Sequence, residues 1–260
     1  MIYGSDATLE GFNAPLGHQP PHESLMTIQL LNGFSLRRGT IRVRLPGSAE
    51  RLVAYLALVG PTNRSRLCGQ LWPDVPEKSA RASLRNALWL VAQKAPGLLE
   101  IVGNTVQLAS HVMVDLAEFR SWAWPIVNGS VGHLVEADLQ SVLSALGDAE
   151  LLPGWYEDWS ADPREQMRQL RMHALESLSA TLLAERRFAL ALQLALEVAR
   201  MEPLRESAAA AVIAVHLRER NTVEAVRYFN TFARELRSEL GVEPSEDLSQ
   251  LLPGNLRASA

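Results

Sequence analysis

The stretch KSARASLRNALWLVAQK, residues 78–94, carries two patterns at once. Leu84, Leu88 and Val91 fall at the i, i+4, i+7 spacing of a helical stripe that packs on something. Arg81 and Arg85 stand one turn apart on another side, with Lys78, Ser83, Asn86 and Gln93 near them. A helix with an apolar back and a polar, cationic front needs a core behind it and a partner before it. The flanking sequence says what both are.

Upstream, from Thr27, apolar residues come in short bursts: Ile28 and Leu30, Phe34 and Leu36, then Ile41, Val43 and Leu45. Asn32-Gly33 and Arg38-Gly39 lie between the bursts as turn residues, which predicts a small antiparallel sheet of three or four strands. Pro46-Gly47-Ser48 stops the sheet, and Ser48 is the expected cap of a helix running to about Val59. Leu52, Tyr55, Leu56 and Val59 would form its buried side, and Gly60-Pro61 ends it. A second helix, Arg64 to Leu71, follows a short polar turn and is closed by Trp72-Pro73-Asp74. The quoted stretch is the third helix. After Pro96-Gly97, LEIV and TVQLA flank Gly103-Asn104 as a β-hairpin. Sheet, three helices and hairpin, in that order, describe a winged helix-turn-helix whose third helix offers its polar front to the major groove of DNA.

Charge agrees with this reading. The chain of 260 residues has a formal net charge of −4. Residues 26–110 carry eleven Lys and Arg against four Asp and Glu, a net +7. Residues 111–260 carry 14 against 22, a net −8, and residues 1–25 carry −3. An asymmetry of this size points to a polyanion partner for the middle part alone. Residues 1–25, with four Gly and Pro crowded into 15–21, read as a loose extension rather than a signal peptide, and Met26 is a candidate start of translation. A hydrophobic content of 47% without eighteen consecutive apolar residues predicts a globular chain with no membrane span. A single cysteine, Cys68, fits a reducing cytoplasm and reads as a buried small hydrophobe.

Beyond residue 111 strand signals give way to Ala/Leu-rich helices at about 115–124, 131–146, 162–186, 188–200, 204–220 and 222–240. A shift of 34 residues superposes Glu185-Arg186 on Glu219-Arg220, Ala191 on Ala225 and Leu178 on Val212. That is the period of tetratricopeptide helix pairs, with Ala191 and Pro203 at the small and closing positions; a plain helical bundle is the alternative. LLPGWYEDW, 151–159, holds Trp155, Tyr156 and Trp159 behind a Pro153-Gly154 turn. The cluster reads first as a plug between helices and second as a ligand or partner groove.

Enzyme signatures are missing: no phosphate loop, no Gly-x-Ser-x-Gly elbow and no His-Glu-x-x-His. Six scattered histidines and one cysteine suggest neither a metal site nor another cofactor. The cations are placed for DNA instead. Arg42, Arg44, Arg51, Arg64, Arg66, Lys78, Ser83 and Lys94 are candidates for phosphate contact, Arg64 and Arg66 doubly so at a helix start. Arg81 and Arg85 are candidates for guanine and Asn86 for adenine. Trp89 reads as packing or as a brace for Arg85. The hairpin tip, without Lys or Arg, promises a weak minor-groove contact.

LPGSAERLVAYLAL, LCGQLWPDVPEKSARASLRNALW, VDLAEF, LLPGWYEDW and ELGVEPSEDL, in that order, resemble the transcriptional activators of the Streptomyces antibiotic regulatory protein (SARP) type. The resemblance implies a mainly α chain. It has an OmpR-like winged helix-turn-helix with a small antiparallel sheet and a hairpin wing over 26–110. An all-α, tetratricopeptide-like bacterial transcriptional activator domain covers 111–260, in the small form of the family. It further implies binding to direct repeats in double-stranded promoter DNA, self-association there, recruitment of RNA polymerase with its sigma factor, and control of a secondary-metabolite or other local gene cluster. The third helix departs from the usual arginine-rich continuation, reading Leu90-Val91-Ala92-Gln93-Lys94, which removes phosphate contacts. An interaction scaffold with weakened or lost DNA binding is therefore the second functional reading.

Overall fold

The computed structural model describes residues 25–129, 139, 142–144, 146, 147 and 149–252. Its first sheet combines β1 (Met26–Gln29), β2 (Ser35–Arg38), β3 (Ile41–Val43) and a strand from much later in the chain, β7 (Met113–Val114), in the order β3-β2-β1-β7. β1, β2 and β3 are antiparallel neighbours, as their turns require, with Asn32 and Gly39 both at positive φ. β7 runs parallel to β1, pairing Thr27 with Met113 and Ile28 with Val114, so the sheet is mixed rather than antiparallel throughout. The front unit expected to end at 110 thus shares its sheet with residues 113 and 114. Ile28, Leu30, Leu36 and Leu45 are buried as their alternation predicts, whereas Ile41 is exposed on the edge strand β3.

Three helices pack beneath: α1 (Gly47–Val59), α2 (Arg64–Leu71) and α3 (Glu77–Lys94). Ser48 is not the cap of α1. The helix starts a residue earlier, and the Pro46 carbonyl receives the N–H groups of Ala49 and Glu50. Leu52, Tyr55 and Leu56 are buried, but Val59, at the last turn, faces out. The polar turn before α2 is a two-residue strand, β4 (Thr62–Asn63), on the hairpin of β5 (Leu99–Val102) and β6 (Thr105–Leu108), in the order β4-β6-β5. Gly103, at φ +61°, makes the hairpin turn. The Asn104 carbonyl takes the Arg64 N–H at 3.1 Å, which ties the turn to the start of α2.

α4 (Asp115–Val127) leads away from β7. The Asp115 carboxylate accepts the N–H groups of Leu30 at 3.0 Å and Leu31 at 2.9 Å, closing the end of β1. Burial pushes the Asp115 carboxyl up, and these hydrogen bonds pull against it. The helix expected over 131–146 lies mostly outside the described residues, although 142–144 are helical and Leu139, Val142 and Leu146 are buried.

The helical half follows as α5 (Asp158–Ala184), α6 (Phe188–Met201), α7 (Glu206–Arg218), α8 (Thr222–Leu240) and the short α9 (Glu246–Gln250). α5 starts at Asp158, four residues ahead of the expected 162, and carries Pro163 inside it. The 34-residue repeat is written in the backbone. Arg186 and Arg220 both stand in the left-handed region, at φ 61° and 63°. Around them, Arg187 N–H donates to Leu182 O, and Asn221 N–H donates to His216 O, 34 residues on. Ala191 and Ala225, the small positions, are both buried where the helices of each pair approach.

The two halves are joined by main chain and by aromatic rings. Leu31 bridges to Leu151, Leu152 N–H donates to Leu30 O, and Asn32 N–H donates to Glu150 O. Trp159 meets Tyr55 of α1 edge-on at 5.4 Å and Trp155 at 6.1 Å, while Trp155 lies against Phe34 at 6.0 Å. The plug expected between helices of the rear half therefore sits between that half and the front, and Tyr156, 92% exposed, takes no part in it. The Arg164 guanidinium locks the loop by donating to the carbonyls of Leu151, Leu152 and Trp155.

Candidate nucleic-acid interface

α3 is aimed by its own buried stripe. Ala80, Leu84, Ala87 and Val91 are buried against α1 and α2, and Leu88 is half-buried beside them. This turns Lys78, Arg81, Arg85, Asn86, Trp89 and Gln93 outward. At about 100° per residue, Ser83 and Lys94 fall roughly 160° or more round the helix from Arg85, so the expected phosphate contacts of α3 do not share one face.

α2 is capped by Asn63, whose Oδ1 accepts the Arg66 N–H at 2.8 Å. Asx capping at this place is a sequence signal that a polar turn reading overlooks. The cap sets Arg64 and Arg66, both exposed, on the first turn, where the positive end of the helix dipole also favours an anion. α2, α3 and the hairpin turn enclose a cleft of about 390 Å³ that brings Arg64, Arg81, Arg85 and Asn104 together over Cys68 and Leu84. Cys68 is buried in its floor, and burial pushes its thiol up, which suits a packing role.

The arginines of the cleft are not equivalent. Arg81 is held by Glu77, one turn back on α3, at 2.5 Å. Arg85 forms no ion pair among the described residues. Replacing Glu77 with glutamine is expected to raise affinity for duplex DNA about two- to fivefold at low salt, the gain shrinking as salt rises. The same change removes an acidic side chain from the first turn of α3 and is expected to lower thermal stability slightly. Opposite signs in a binding titration and a melt separate the two effects.

The other cations lie elsewhere. Arg42 and Arg44 are exposed on and just past β3, away from the cleft; Arg42 faces Arg37 across the strands and eases the Glu50 carboxyl, which burial pushes up. Arg51, expected at a phosphate, is engaged inside the molecule. Its guanidinium pairs with Glu157 at 3.0 Å and donates to the Leu71 carbonyl at 2.9 Å, across the joint between the halves. Trp89, expected in the packing, is 58% exposed. Tyr156 stands on the rim of an open groove of about 560 Å³ with Glu50, Trp155 and Glu157, while Trp159 is shut inside the joint. Among the described residues no group of three or more His, Cys, Asp or Glu is placed to hold a metal ion, and no helix is long and apolar enough to cross a membrane.

Comparison with known proteins gives two results. Residues 141–252 match the family of the bacterial transcriptional activator domain. The structure is similar to that of Mycobacterium tuberculosis EmbR, solved in complex with a low-affinity phosphopeptide, with a TM-score of 0.69 at 14% identity; the alignment covers 91% of this chain and 68% of that one. No curated protein matches by sequence. Residues 141–252 are thus similar to the bacterial transcriptional activator domain, and the chain as a whole shares the fold of EmbR, with a winged-helix front ahead of the helical half.

Proposed function

We propose that the protein binds duplex DNA with α3 in the major groove, Arg85 and Arg81 at guanine edges, Asn86 at adenine, and Arg64, Arg66 and Lys78 on phosphates. The observation that carries this reading is the cleft in which Arg64, Arg81 and Arg85 converge from two helices beside a capped helix start. In a helix-turn-helix this is the side that meets the backbone while the third helix enters the groove. Arg42, Arg44, Ser83 and Lys94 are secondary phosphate candidates, since they lie off the cleft. The front unit is residues 26–114. The activator domain behind it, acidic overall, recruits RNA polymerase with its sigma factor from direct repeats upstream of a promoter, where neighbouring copies associate, and the protein works in the cytoplasm.

Binding to a promoter fragment is expected to weaken with salt, with log affinity falling by about 0.9 per phosphate neutralised against log salt. Arg64, Arg66 and Lys78 together call for a slope near −3. A flat response removes the proposal.

A second reading has one observation behind it. Glu77 occupies Arg81, Arg51 is tied to Glu157, and no charged side chain lies between Arg85 and Lys94 on α3, so the front is less cationic than its composition suggests. In that case the chain is a helical interaction scaffold. Capture of RNA polymerase without promoter DNA, combined with no shifted DNA complex, distinguishes it.

A further inference from the structure

Trp89 is the residue of α3 that phosphate and guanine contacts leave unexplained. Its indole is more than half exposed, while the helix turns Leu84 and Val91 fully inward. At about 100° per residue it lies about 40° from Arg85, on the side away from the buried stripe. No ring of the described residues stacks on it. Nor does charge hold this half of the helix to a duplex: from Asn86 to Gln93 it contains no Lys, Arg, Asp or Glu. Contacts here come from apolar groups, the side-chain amides of Asn86 and Gln93, and the indole itself.

The major groove offers one apolar group, the 5-methyl of thymine, and apolar side chains recognise it by packing. Four helical residues advance about 6 Å, close to two base-pair steps at about 3.4 Å each. We propose that Trp89 reads a thymine about two base-pair steps from the base pair that Arg85 reads, by laying its indole on the 5-methyl group. The inference rests on the DNA-binding reading above and deepens it, from holding a duplex to choosing a base. It makes Trp89, and not only the arginines, a determinant of specificity.

Selection of the full chain on a library of randomised 24-base-pair duplexes tests this, with Trp89→Ala and Trp89→Phe run beside the unaltered protein. The unaltered protein is expected to select a site with a thymine column that Trp89→Ala loses and Trp89→Phe keeps. On the winning duplex, deoxyuridine at that column, which lacks only the methyl, is expected to weaken the unaltered protein about fourfold and Trp89→Ala not at all. Fourfold corresponds to the roughly 0.8 kcal/mol of one buried methyl-sized group. If Trp89→Ala keeps every column, or if deoxyuridine weakens neither protein or both equally, the proposal is overturned while DNA binding stands. If neither protein retains any duplex, the DNA-binding reading falls and takes this inference with it.

Discussion

Replacing Arg85 with alanine is expected to lower affinity for a selected site by about five- to 150-fold and affinity for random duplex by less than twofold. The range is that of a bidentate guanidinium on guanine, roughly 1–3 kcal/mol. Three features make Arg85 the side chain to remove. It projects from the middle of α3, a helix fixed by Ala80, Leu84, Ala87 and Val91. It shares its cleft with Arg64, so a phosphate bound by Arg64 would hold the helix in register. Among the described residues it has no carboxylate to leave, whereas Arg81 must part from Glu77 before it can reach a base. Fluorescence anisotropy on selected and scrambled duplexes at one salt concentration gives both numbers. An equal loss on the two would make Arg85 a phosphate contact and shift base reading to Asn86 and Trp89.

What local sequence carries, it carries well in this chain. The apolar stripe of α3, the Gly103-Asn104 hairpin and the 34-residue repeat are all short-range patterns, and each has its counterpart in the fold. The repeat even extends to the left-handed Arg186 and Arg220, a backbone feature that arginine does not announce. Pairings across long separations are different. β7 joins β1 in parallel over 86 residues between Thr27 and Met113, and a two-residue strand has no periodicity to betray it. β4 is hidden for the same reason.

The candidate site divides along the same line. Arg81 and Arg85 are legible because helical spacing alone turns them outward. The Arg81–Glu77 pair is legible too, at i and i−4, once the helix is extended one residue past Lys78. Arg51 is not, because Glu157 stands on the far side of the joint and nothing near Arg51 names it. Trp89 is a matter of chemistry rather than distance. Indoles are usually packed, and only the position of the whole helix on α1 and α2 shows this one left open.

The joint itself is the place where stability and function meet, and Trp159→Ala is expected to cost about 3–5 kcal/mol, the loss typical of a buried tryptophan cut to a methyl group. The indole is only 9% exposed and is the shared partner of Tyr55 from the front half and Trp155 from the rear. Two edge-on ring pairs at about 0.5–1.5 kcal/mol each go with it, beyond the apolar area. Among the described residues its buried Nε1 has no acceptor, a burden that the folded state carries. Phenylalanine keeps a ring and drops that N–H, so Trp159→Phe is expected to lie within about 1.5 kcal/mol of the unaltered protein. Urea unfolding followed by circular dichroism reads both. The alanine chain is also expected to lose activation from a promoter while its front half still binds a single site, because α1 would no longer be seated against α5. A loss below 1 kcal/mol for alanine would show that the main-chain bridge between Leu31 and Leu151, with Arg51–Glu157, holds the halves together without the rings.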